Sequence, residues 1–316
     1  LDTCPTIVVI AGPTGVGKTD LALGLAERLQ TVIISADSRQ CYKEMNIGVA
    51  RPSPADLRRI PHFFIATHSI TEHVNATTFV AEATRAMEGR DLVLVVGGTG
   101  LYIKALTEGL DPIPPVPDEI RRAVREGYAA GGLAWLQQEI AVSDPGWIQT
   151  GDLQNPHRLM RALEVARSTG RSIRTFQTGG EAAGGDGTAG HDGAAGGPAA
   201  GACVIKIGLD LPRQELYARI DKRVDIMMAN GLLEEVEALL PYRDQKALHT
   251  VGYAELFDHL DGNTSLEEAT ALIKQHTRNY AKRQLTWFRR DPEMAWFAPG
   301  ALDEVEAYVR RRLASF

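Results

Sequence analysis

Thr6-Ile-Val-Val-Ile-Ala-Gly-Pro-Thr-Gly-Val-Gly-Lys-Thr19 decides how the chain folds. Thr6–Ala11 is an apolar, β-branched run suited to a buried strand, and a helical pattern starts near Gly17. Between them Gly12, Pro13, Thr14, Gly15, Val16, Gly17, Lys18 and Thr19 have the spacing of a phosphate-binding loop. Strand before and helix after give that spacing its meaning, because loop N–H groups and a helix N-terminus then converge on phosphate oxygens. Gly12 and Gly17 permit the tight turn. Lys18 adds a point charge, and the Thr19 hydroxyl is the group placed for Mg²⁺. The segment implies a polyphosphate ligand.

Outward from it, strand-like runs recur at Thr31–Ser35, Phe63–Ile65 and Leu92–Val96, with helical patterns near 17–29 and 76–88. Continuous apolar runs alternating with helices predict an α/β fold, a P-loop NTPase-like parallel sheet flanked by helices. Ligands of such sheets sit beyond the carboxyl ends of the strands. There the loop should meet Asp37-Ser-Arg-Gln40 and Gly97-Gly-Thr-Gly100. The texture changes at Asp111-Pro-Ile-Pro-Pro-Val-Pro117, which can continue neither helix nor central strand. Residues 113–178 read as an inserted all-helical domain. Residues 179–202, nearly all Gly, Ala and small polar types, read as a flexible linker. Val204–Leu209 returns as a strand, so the core is discontinuous, 1–112 plus 203–316, and ends in amphipathic helices.

The chain has 316 residues, 44% apolar and 23% charged, enough for one large or two modest domains. A net charge of −6 excludes attraction to nucleic acid or an anionic membrane over the whole surface, so a polyanion must meet local basic patches. Cys4, Cys41 and Cys203 have no metal or disulfide spacing, which suggests inert thiols in a cytoplasmic setting. No apolar stretch is long enough to span a bilayer. The first apolar run lacks a basic flank, so neither a membrane nor a signal peptide is expected. A monomer is the default expectation.

Asp37 follows the second strand, where a carboxylate can accept a proton or bind metal; the competing reading is an ordinary turn Asp. Leu92–Val96 ends in glycines and Thr99 rather than in the acid that holds Mg²⁺ in many P-loop hydrolases. Two acid-poor basic stretches stand out. Arg158, Arg161, Arg167, Arg171 and Arg174 are opposed only by Glu164, and Lys274, Arg278, Lys282, Arg283, Arg289 and Arg290 by no acid. Either could be a solvated helix face or a contact to phosphates. Arg219 and Arg223, four apart on one helix, either clamp phosphate or pair with neighbouring acids. Of His62, His68 and His73, His62 is the candidate for the cleft, and the others read as packing or surface residues.

Taken in order, Ala11–Thr19, Ser35–Gln40, Met45–Gly48, Pro61-His62, Gly97–Tyr102, Asn155–Arg158, Arg161–Glu164, Leu216–Ile220, Val251–Tyr253, Thr277–Gln284 and Trp287 resemble the tRNA dimethylallyltransferase (tRNA isopentenyltransferase) family. That family commonly has a second His after Pro-His, where this chain has Phe63. The resemblance implies transfer of a dimethylallyl group from its diphosphate to N6 of the adenine beside the anticodon, at tRNA position 37. It also implies an inserted helical domain that helps grip the anticodon stem-loop. Asp37 would be the general base, Thr99 would position base or diphosphate, and Arg219, with Arg223 as second choice, would close over the diphosphate with Mg²⁺ near Thr19. Asp37, Ser38, Arg39, Gln40, Thr99, Arg121, His157, Arg158, Arg161, Lys282 and Arg283 would meet the tRNA. The rival readings are a small-molecule or nucleoside kinase and a non-catalytic RNA-binding nucleotide sensor.

Overall fold

The structure, a computed structural model, describes residues 5–177 and 202–315. The segment 179–202 lies outside them except for Ala202, as does Cys4. The first unit comprises Leu1–Val74, Thr78–Ile103 and Gly201–Phe316, and the second Asn75–Thr77 and Lys104–Ala200.

In chain order the first unit begins β1 (Thr6–Ala11), α1 (Lys18–Leu29), β2 (Ile33–Ser35), α2 (Pro54–Arg59) and β3 (His62–Phe63). Then follow α3 (Ala76–Met87), β4 (Leu92–Gly97) and α4 (Gly100–Thr107), whose ends reach into the second unit's residues. The second unit holds α5 (Asp118–Ser143), α6 (Pro145–Thr150) and α7 (Pro156–Thr169). The first resumes with β5 (Cys203–Leu209), α8 (Arg213–Ala229), α9 (Leu232–Ala238), α10 (Tyr253–Leu260), α11 (Leu266–Phe288), β6 (Ala295–Phe297) and α12 (Leu302–Leu313).

The sheet is parallel throughout, in the order β3-β2-β4-β1-β5-β6. β1 is central and Ile7–Ala11 are fully buried, each large side chain contributing roughly 1.5–3 kcal/mol. Val8, Ile10, Leu94, Ile205 and Ile207 share a core with Leu21 and Leu25 of α1 and Val305 and Val309 of α12. Because β2, β4 and β1 are neighbours, the phosphate loop, the Asp37 turn and the Gly97–Gly98 bend leave the same sheet edge. β6 was not foreseen: three half-buried residues carry no readable period.

The second unit is helical, with Val124, Leu136, Ile140, Trp147, Leu159 and Leu163 in its core. Ile113 and Val116 of the Pro-rich connector are buried in that core. The sequence boundary at residue 113 therefore falls inside this unit, which takes over at Lys104. Its helices are also interrupted: α5 breaks at Gly132, and Asp144 and Asn155 cap the starts of α6 and α7. No helix among the described residues is long and apolar enough to cross a membrane.

Candidate functional site

Gly17, at φ 105°, closes the phosphate loop in a conformation costly for any residue with a Cβ, and α1 starts at Lys18. Thr14, Gly15, Gly17, Lys18 and Thr19 line a cavity of about 460 Å³. Val16 is instead turned into the core, and Gly12 and Pro13 offer carbonyls that accept from Lys18 Nζ at 2.9 and 2.8 Å. Asp20, Asp37, Gln40, Val96, Gly97, Gly98, Arg219 and Arg223 complete much of the wall.

Two cations are buried in this cavity. Burial first and Arg223 second bring the Lys18 ammonium down to about 7, with Asp37 acting the other way. Burial likewise lowers Arg223, with Asp37 raising it. Two cations are thus held together against their own solvation preference, an arrangement an anion relieves. Arg219 is engaged differently, half-exposed and bonded to Glu215 at 3.0 Å.

Asp37 is held as a turn residue with one carboxylate oxygen left open. Its Oδ1 accepts from the N–H groups of Arg39 at 2.9 Å and Gln40 at 3.3 Å. Among the described residues no hydrogen bond reaches Oδ2. The turn reading offered by the sequence is thus met by Oδ1, and Oδ2 stays accessible as an acceptor. Thr99 does not line the cavity; its hydroxyl accepts from Ser38 N–H at 3.1 Å and its own N–H donates to Ala36 O at 3.1 Å, which braces the Asp37 turn. Ser38 and Arg39 also lie outside the lining, as does His62, whose Nδ1 is bonded to Ile60 O. Cys41 is buried, and burial pushes its thiol up to about 12, consistent with an inert residue.

Two parts of the wall were not foreseen. Gln284 of α11, within the matched stretch Thr277–Gln284, accepts from Thr14 N–H at 2.8 Å and donates to Gly98 O at 3.0 Å. It ties the loop to the end of β4, and without it a buried polar group would lose its partner at a cost of about 1–3 kcal/mol. The second part is the irregular segment Val49, Ala50, Arg51, Pro52, Ser53 with Asp56.

The basic stretches are less free than their composition implied. Lys274 pairs with Asp225 at 2.6 Å, Arg278 with Asp221, and Arg289 with Asp210, acids supplied by or beside α8. Lys282 and Arg283 are exposed, and Arg283 lies over the Tyr280 ring at 5.7 Å. In the second unit Arg158 pairs with Asp152 at 3.4 Å, Arg161 with Glu164 at 3.5 Å, and Arg167 with Glu139. His157 is exposed; among the described residues Arg121 Nε and Arg161 Nη2 are buried without an acceptor, and burial lowers Arg161.

Among the described residues no cluster of three or more His, Cys, Asp or Glu side chains is placed to hold a metal. Thr19 offers a hydroxyl and Asp37 and Asp20 carboxylates to the same cavity. That set fits Mg²⁺, which needs few protein ligands when phosphate oxygens complete its shell.

Sheet order, loop and cavity define an α/β protein of P-loop-like fold, with the glycine-rich loop and the turn-held Asp37 on the wall of one cavity. The chain belongs to the IPP transferase family, whose model matches residues 40–291. A tRNA dimethylallyltransferase 1 of Phocaeicola vulgatus is 41% identical over 96% of this chain and 97% of its own length. A tRNA dimethylallyltransferase of Christiangramia forsetii is 43% identical over 92% of both. Among solved structures, the tRNA isopentenylpyrophosphate transferase of Bacillus halodurans superposes with a TM-score of 0.68 at 32% identity, over 98% of this chain and 97% of that one. A eukaryotic dimethylallyltransferase described as acting on tRNA superposes with a TM-score of 0.67 at 25% identity, over 90% of this chain and 69% of that one.

Proposed function

We propose that this enzyme transfers a dimethylallyl group from dimethylallyl diphosphate to N6 of adenosine 37 in tRNA, releasing diphosphate. The observation that carries the reading is one cavity in which Lys18 and Arg223 lie buried, with Asp37 Oδ2 open beside them.

The adenine amine is a poor nucleophile because its lone pair is delocalised into the ring. As N6 bonds to the allylic carbon, the carbon–oxygen bond to diphosphate breaks and takes its electron pair with it. Asp37 Oδ2 accepts the N6 proton. Loop N–H groups, Lys18 and Arg223 stabilise the charge gathering on the leaving group. Mg²⁺, held by Thr19 and the diphosphate itself, would neutralise part of that charge when bound. Presenting a base from a single-stranded loop is less costly than extruding one from a duplex. His157, Arg121, Arg158 and Arg161 in the helical unit, and Lys282 and Arg283 on α11, are the proposed contacts to the RNA backbone; Ser38, Arg39 and Gln40 are the proposed contacts near the base.

Purified protein given unmodified tRNA and dimethylallyl diphosphate is expected to yield an adenosine enlarged by one dimethylallyl unit, read by nucleoside mass analysis. Phosphoryl transfer from ATP to a small acceptor, with no RNA prenylation, would establish the kinase reading instead.

Arg223 takes the diphosphate role first given to Arg219, because it is buried beside Lys18 while Arg219 already has Glu215. Arg223→Ala is expected to raise the KM for the donor about ten- to a hundredfold, as for a lost charged hydrogen bond. Arg219→Ala should change it by less. Steady-state kinetics that rank the two in reverse would return the role to Arg219.

A further inference from the structure

Glu235 lies on α9, outside the cavity lining, yet its carboxylate makes an unusually complete set of bonds. It accepts from three successive backbone N–H groups, Asn46 at 3.2 Å, Ile47 at 2.7 Å and Gly48 at 3.1 Å, and from the Tyr253 hydroxyl at 2.6 Å. Charge-assisted bonds of this kind are about twice as strong as neutral ones. Tyr253, at the start of α10, is fully buried, and burial and Glu235 together hold its phenol far above the ordinary range, so it remains a donor. Its ring packs so closely on Gly48 that a Cβ there would stand 2.6 Å from it.

Beyond Gly48 the chain becomes the cavity wall at Val49 to Ser53. The bend closes on itself through Ala50 N–H to Ile47 O at 2.9 Å and Arg51 N–H to Asn46 O at 3.1 Å. The Arg51 guanidinium caps the carbonyls of Tyr42, Lys43 and Met45. The carbonyls of Val49 and Ala50 then accept from Gln40 Nε2 at 3.3 and 3.1 Å, and the Gln40 Oε1 accepts from Ser35 Oγ. Gln40 N–H is one of the two donors that hold Asp37 Oδ1. An unbroken chain of bonds thus runs from Glu235 through the wall and Gln40 to the carboxylate.

We propose that Glu235, with Tyr253, is a positioning residue for Asp37, acting through the 46–50 bend and the Gln40 side chain. The inference rests on the reading of Asp37 as the base. The diphosphate end of the donor is held from the other side, by the loop, so this chain should govern turnover and leave donor binding alone.

Glu235→Gln keeps the shape but replaces one acceptor oxygen with a donor facing the N–H groups. In the full-length enzyme it should lower kcat by about 10- to 100-fold, the scale for a small misplacement caused from outside the site, while the donor KM stays within threefold. Tyr253→Phe should lower kcat less, because Glu235 keeps its three amides. Gln40→Ala should lower kcat as well, and the double variant with Glu235→Gln should be no worse than the poorer single, since both cut one chain. Should Glu235→Gln fail to fold, Tyr253→Phe carries the same comparison with Gln40→Ala. Unchanged kcat, a fall shared by kcat and donor affinity, or losses that multiply in the double variant would overturn the proposal. If Asp37→Asn is inactive while Glu235→Gln is normal, the inference falls and the functional reading stands. If Asp37→Asn retains turnover, the inference falls together with the reading of Asp37 as the base, while prenyl transfer itself stands.

Discussion

Asp37→Asn is expected to lower prenyl transfer by about 10²–10⁴-fold, the range for loss of a general base, with tRNA affinity changed by no more than a few-fold. The amide is the sharper substitution than Ala because its oxygen can still accept from the N–H groups of Arg39 and Gln40. The turn survives, and only the proton acceptor at Oδ2 is lost. Single-turnover measurement with saturating donor, beside filter binding of tRNA, separates the two effects. Near-normal turnover would remove Asp37 from the mechanism and leave it the turn residue that its Oδ1 bonds already make it.

The second large effect belongs to Lys18. In the free protein burial first and Arg223 second bring its pKa down to about 7. The diphosphate favours the protonated amine, so binding at pH 8 should draw about one proton from solution. Calorimetry of donor binding in buffers of different ionisation enthalpy reads that uptake directly. Donor affinity should be highest below about pH 7 and fall as pH rises through it, approaching tenfold per unit. Lys18→Met should abolish both the uptake and this limb of the profile, and lower kcat by about 10²–10³-fold, as for removal of one donor to developing charge. A pH-independent donor affinity would mean that Lys18 does not meet the diphosphate. Stability carries the opposite sign. The folded protein binds fewer protons at Lys18 than the unfolded chain between about 7 and the ordinary 10.5. This contribution therefore penalises the fold fully below about pH 7 and fades as pH rises through that window. At neutral pH Lys18→Met should accordingly raise the melting temperature while weakening donor binding.

The basic stretches show how far a local signal can mislead. Between Lys274 and Arg290 no acid interrupts the run, so sequence inspection sees an open cationic face. Folding lays that helix beside α8, and Asp221 and Asp225 answer Arg278 and Lys274. Surface pairs of this sort contribute little to stability, yet they remove charge that would otherwise be offered to RNA. Lys282 and Arg283, one turn further on, keep theirs at the surface.

What could be read without coordinates was whatever is encoded within a turn or two of chain. β1, the phosphate loop and α1 are contiguous, and each states its conformation through side-chain period and glycine placement. The place of Asp37 on the cavity wall was legible because it lies just beyond a strand in an alternating α/β pattern. Only the tertiary structure decided which loops became neighbours, since strand order β2-β4-β1 is a matter of pairing between distant segments. It also decided that Gln284 should brace Thr14, that Arg223 rather than Arg219 should lie buried by Lys18, and that Glu235 should hold the bend leading into the wall. Those are contacts between parts of the chain far apart in order, whose polarity reads locally as ordinary helix surface until packing withdraws their water and makes each hydrogen bond count.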